Sequence, residues 1–147
     1  MKPYGSNVEY EKERNDELMA AYHKLMDEAD CICMEKIYKD VVNLPASRFW
    51  VSEERAAIVI SAMMRGERLK DIVKRRPKQE MFMEIYRRAM AIKKSNPSLS
   101  AYDLAFKVVR QPAPKFYMTP GYARLIIFLH KKQWYEERKR KLRHLFM

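Results

Sequence analysis

A chain of 147 residues with 48% hydrophobic and 12% aromatic residues has enough apolar material for one domain, or for two small ones sharing a core. Three isolated glycines exclude a Gly-rich phosphate loop, and no apolar run approaches the roughly 18 residues that span a membrane. The net charge of +11 is polarised: residues 1–30 carry −4, residues 31–60 carry 0, residues 61–98 carry +7 and residues 99–147 carry +8, which points to a polyanionic partner for the basic part.

Scarce Gly, 11 Met and long stretches of Ala, Leu, Glu, Lys and Arg predict an all-α fold. The first helix is expected from Asn7 to Asp30, with Leu18, Ala21, Tyr22, Leu25 and Met26 on one buried face. A second, from Cys31 to Leu44, buries Ile37, Val41, Leu44 and Met34, and Pro45 stops it because the residue before a proline is pushed out of the α region. PASRFW then crosses as an extended segment to Ser52, the expected N-cap of a third helix, Glu53–Arg65, that carries Ala56, Ala57, Val59, Ile60 and Met63. Gly66 interrupts the pattern, and residues 66–80 read either as a basic linker or as a short helix ending before Pro77. A fourth long helix follows from Lys78 to Lys94, with Met81, Phe82, Ile85, Tyr86 and Ala89 on its apolar face. SNPSLS is a loop whose Ser100 caps a helix over Ala101–Gln111, and the last helix runs from Pro120 to Arg143.

PASRFWVS (45–52) has a near-copy in PAPKFYMT (112–119). At an offset of 67, residues 41–60 and 108–127 share seven identities in 20 positions, where composition alone gives roughly one. A weaker echo sets AYHKLM (21–26) against IYRRAM (85–90) at an offset of 64. The chain therefore reads as two related three-helix units: residues 1–65, acidic to neutral, and residues 80–147, basic, with a basic junction at 66–79 and a long basic C-terminal helix. The repeated motif is a corner. A proline stops one helix, Phe49/Trp50 or Phe116/Tyr117 plugs the junction, and Ser52 or Thr119 caps the next helix, with Val51/Ala56 and Met118/Ala123 at hydrophobic-staple spacing.

The sequence carries little catalytic chemistry. Cys31 and Cys33 are too close for the usual zinc clamp, and they are expected to be ordinary helix residues. His23, His130 and His144 are scattered. No enzymatic activity, cofactor or metal is expected. The cations are the stronger signal: Arg68, Lys70, Lys74, Arg75, Arg76 and Lys78 around the junction, Arg87 and Arg88 on the fourth helix, Lys115 and Arg124 at the second corner, and Lys131, Lys132, Arg138, Lys139 and Arg140 near the C-terminus. They suit phosphate contacts, whereas Trp134 and Tyr135 are expected to pack against the body of the protein. The corners differ at the helix start that follows. Glu53–Glu54 would repel an anion that Pro120–Gly121–Tyr122 would admit, so the second unit is expected to face nucleic acid.

The expected function is nucleic-acid binding by a regulatory or accessory protein. DNA is favoured over RNA because a three-helix unit can carry a helix-turn-helix. The reading helix would be either the capped third helix of a unit or Lys78–Lys94, with Arg76–Pro77 as the turn. The alternative is a helical protein–protein adaptor that docks a partner through the first unit; a homo-oligomer is compatible with either reading. Segregation of apolar and basic residues along the last helix argues against attachment to a membrane surface. The N-terminal residues lack the apolar stretch of a secretory signal, so a cytoplasmic location is expected.

Overall fold

The computed structural model describes residues 4–146, with side chains from residue 10 onward. The described residues form α1 (Tyr4–Glu28), α2 (Met34–Val42), α3 (Glu53–Met64), α4 (Leu69–Ile72), α5 (Arg76–Ser95), α6 (Ala101–Val109) and α7 (Pro120–Leu145), and no strand occurs among them. The fold is all-α.

Local chemistry explains most of the boundaries. The Ser52 and Thr119 hydroxyls accept from the N–H groups of Arg55 and Tyr122, each at 3.1 Å, as their positions predicted. Ser100 caps α6 within a reciprocal capping box with Asp103. Two expectations need correction. Cys31–Cys33 precede α2 rather than opening it: Cys33 is the extended N-cap residue (φ −113°), and its neighbours Cys31 and Ile32 are weak helix formers. Arg76–Pro77 is not a turn but the start of α5, where a missing proline N–H costs nothing.

α3 ends in a Schellman motif. The N–H of Glu67 donates to the Ala62 carbonyl at 3.1 Å and that of Gly66 to Met63 at 3.0 Å, with Gly66 at φ +92°. A Cβ built on Gly66 meets nothing within 4 Å, so the cost of adding one is purely conformational. Gly66→Ala should therefore destabilise by about 1 kcal/mol, read as a lower denaturant midpoint at unchanged m-value.

The two corners meet each other. Ala46 and Ala113 exchange backbone hydrogen bonds of 2.9 and 3.0 Å as an isolated antiparallel bridge. On either side, the Phe49 N–H donates to the Val109 carbonyl and the Phe116 N–H to the Val42 carbonyl, both at 3.0 Å. These bonds interchange under the offset of 67 residues. The buried corners thus satisfy their backbone groups from one another.

Helix packing follows the same exchange. α2 packs on α1 and α7, α6 packs on α5 and α3, α1 touches α7, and α5 touches α3. Swapping α1, α2 and α3 for α5, α6 and α7 maps each of these pairs onto another. The third helix of each half therefore lies on the second helix of the opposite half. α4, which packs on α3 and α5, has no counterpart. One hydrophobic cluster, from Leu18 to Ile127, draws on both halves and includes every apolar residue expected to be buried on α5 except Tyr86, which is half-buried.

Candidate nucleic-acid interface

Most of the predicted cations fall into three groups. The first is engaged within the fold. Arg88 donates from Nε to Glu84 at 2.9 Å and from Nη1 to the Pro112 carbonyl at 2.9 Å and to Gln111 at 3.2 Å, with its guanidinium 4.9 Å from the Phe49 ring centroid. It ties α5 to both corners. Arg87 completes the bracket on Glu84 at 2.6 Å, and its hydrogen bond, aided by Arg88, holds the Glu84 carboxyl below the usual carboxylate range against the opposing effect of burial. Lys115 pairs with Glu80 at 3.0 Å and lies over the Tyr117 ring. Its counterpart Arg48 pairs with Glu53 at 3.6 Å and lies over Trp50. Both corner cations are thus paired, Arg48 with the first residue of the helix that follows it and Lys115 with α5. Lys131 donates to the Tyr22 hydroxyl at 2.6 Å. Four predicted cations fall outside the three groups: Arg68, which pairs with Asp71 at 3.4 Å on the exposed surface, and exposed Lys70, Lys74 and Arg124.

The second group is the distal half of α7. Every residue from 132 to 146 is exposed, including Lys132, Arg138, Lys139 and Arg140. Trp134 and Tyr135, expected to pack against the body, are 52% and 59% exposed. They contact each other edge to face at 5.1 Å, and Arg138 lies 5.1 Å from the Trp134 centroid. The body covers them only in part, along a groove shared with Met19 and His23 of α1, and Ile127 is the last buried residue of α7. A groove beside them brings together His23 and His130, which are scattered in sequence.

The third group surrounds a cavity of about 460 Å³ at the start of α5. Arg75, Arg76 and Lys78 line it together with Arg14 of α1, Trp50, and Phe116, Tyr117, Thr119 and Tyr122 of the second corner and α7. Sequence reading missed Arg14, which is only 8% exposed. Its guanidinium lies between the rings of Tyr10 and Tyr122, at 6.0 and 5.5 Å, and donates to Asn15 Oδ1 and the Tyr122 hydroxyl. Among the described residues no carboxylate lies within ion-pair distance of it. Burial, then Arg14 and Arg75, lowers the pKa of the Lys78 ammonium below the ordinary lysine value. Burial raises the Tyr117 phenol, and this residue adopts φ +56°, a conformation that is strained for a bulky side chain.

Among the described residues no group of three His, Cys, Asp or Glu side chains is placed to hold a metal ion, and no helix is long and apolar enough to cross a membrane. Cys31 and Cys33 are exposed and unpaired with each other. α4 is a single turn, followed after three residues by α5. No protein-family model, curated protein or solved structure matches the chain.

Proposed function

We propose that this is a nucleic-acid-binding protein without a reaction of its own, built by duplication of a three-helix unit and gripping a single strand through its basic C-terminal helix. The observation that carries the binding is the exposure of the whole distal half of α7, where Trp134 and Tyr135 stand among Lys132, Arg138, Lys139 and Arg140. Cations there reach backbone phosphates, and exposed aromatic faces stack on unpaired bases. A helix-turn-helix would favour duplex DNA, and a one-turn α4 lends that little support; the exposed aromatics favour a single strand instead. The duplication is supported by the corner hydrogen bonds, which interchange at the sequence offset of 67, and by the pairwise exchange of helix contacts.

Labelled oligothymidylate and a labelled duplex, titrated across a salt series, test the binding. The chain should prefer the single strand and lose affinity steeply with salt. The triple variant Arg138→Gln, Lys139→Gln, Arg140→Gln should flatten the log–log salt slope by about 2, since each lost phosphate contact on a single strand accounts for about 0.7. Trp134→Ala should weaken binding by about 1–3 kcal/mol at all salt concentrations. An unchanged slope in the triple variant sinks the reading. The adaptor reading has its own support in the exposed Leu125, Phe128 and Leu129 of α7. It predicts a partner whose affinity is insensitive to salt.

A further inference from the structure

We propose that the cavity between α1, the start of α5 and the second corner binds a phosphomonoester that carries a planar ring, a ligand of the mononucleotide class. Four cations line it, Arg14, Arg75, Arg76 and Lys78, and among the described residues no carboxylate does. Among the described residues Arg76 alone of the four has an acidic partner, Glu80 at 3.7 Å, and it is otherwise exposed. Arg14 is the informative member. A buried guanidinium is costly without a counter-charge. Two hydrogen bonds, to Asn15 and Tyr122, use two of its five N–H groups, and the Tyr10 and Tyr122 rings lie within 6.0 Å of it. The fold then sets Lys78 beside it, at a cost that shows in the lowered pKa of that ammonium. Such like charges, held together under cover, are stabilised by an anion placed between them.

Two further features fit a phosphate. The start of α5, a helix of 20 residues that no side chain caps, borders the cavity with the positive end of its dipole. The remaining wall is mostly aromatic, with Trp50, Phe116, Tyr117 and Tyr122 beside Pro77, Met118 and Thr119. A cavity of about 460 Å³ falls in the size range of small-molecule sites. A phosphate at the cations leaves the aromatic wall to a base.

This inference does not depend on the distal cations of α7, so the triple variant described above should retain it. Thermal unfolding of the full chain is measured with 5′-AMP, adenosine, inorganic phosphate, and an oligoadenylate with or without a 5′-phosphate. At a hundredfold excess over Kd, 5′-AMP should raise Tm by about 5 °C or more, and adenosine and phosphate should do far less. A response to AMP alone identifies a free mononucleotide; a response to the 5′-phosphorylated strand, and not to its unphosphorylated twin, identifies a chain end. Both support the site. Lys78→Met should raise the Tm of the free protein by about 2 °C, because it removes a disfavoured cation, and should weaken AMP binding at least tenfold. Arg14→Gln should also abolish the AMP response. No response to either phosphorylated probe, equal responses to AMP and adenosine or inorganic phosphate, or a Lys78→Met protein that binds AMP like the parent overturns the proposal.

Discussion

A chain ended after Glu67 is expected to be unfolded on its own, as is the fragment from Arg68 to the C-terminus, yet the two should fold when mixed. The reason is the exchange of helices. In the first fragment α2 keeps α1 but loses α7, and α3 loses α6 and α5, its packing partners. Ala56, Val59 and Ile60, all buried in the intact protein, would face water. Burying each larger aliphatic side chain contributes about 1.5–3 kcal/mol, against a total stability of roughly 5–15 kcal/mol for a domain, so losing a face of α3 and a face of α2 together is enough to unfold the fragment. The corner backbone is also left unpaired, since Ala46 and Phe49 donate to Ala113 and Val109 of the other half. Circular dichroism on each fragment should show little cooperative melting, and an equimolar mixture should recover a single concentration-dependent transition. A cooperative melt in either fragment alone would show that the exchanged contacts are dispensable.

That exchange was only partly legible in the sequence. The helices, the proline stops and the caps at Ser52, Ser100 and Thr119 are local matters, and each shows in a few neighbouring residues. The offset of 67 was visible too. What the repeated motif does was not. PASRFW reads as a plug between two consecutive helices of one unit, whereas Ala46 binds Ala113 across the halves. Alanine has no strand preference to announce such a bridge; its merit here is a side chain small enough to let two backbones approach. Cys31–Cys33 were misread for a different reason: the periodicity of α2 was extended past the point where helix propensity gives out.

The candidate sites divide along a similar line. Runs of cations are obvious in the sequence, but which of them are neutralised depends on partners far along the chain. Arg88 is held by Pro112, Lys115 by Glu80 and Lys131 by Tyr22, at separations of 24, 35 and 109 residues. Arg14 was hidden in an alternating acidic stretch that reads as a solvated face. A signal existed: Tyr10, Arg14, Leu18 and Tyr22 recur at intervals of four and form one stripe, so a cation interrupts the line of core residues. A charge within an apolar stripe is the pattern that would have found it. Trp134 and Tyr135 were misplaced because periodicity cannot tell how far along a helix the body covers it.

Phe49→Ala is expected to cost about 3–5 kcal/mol, and Phe116→Ala a similar amount, which would leave either variant near or below the threshold for folding. Both rings are buried at the crossing of the two corners. Phe49 stacks on Tyr117 at 6.0 Å with the planes 19° apart, and the Arg88 guanidinium lies 4.9 Å from its ring centroid. Removing the ring therefore opens a cavity and also withdraws the aromatic face over which a half-buried cation is held. Leucine should restore most of the volume but not the face, so Phe49→Leu should fall between parent and alanine. Arg88→Met offers the complementary case. It would leave Glu84 with Arg87 alone, and would leave the Pro112 carbonyl and Gln111 without their donor. A double-mutant cycle between Phe49→Leu and Arg88→Met isolates the ring–cation term, which should be about 0.5–2 kcal/mol. Denaturant midpoints measure all four proteins. If Phe49→Ala cost no more than an exposed substitution, the corners would not be the joint between the halves, and the failure of separated fragments would need another cause.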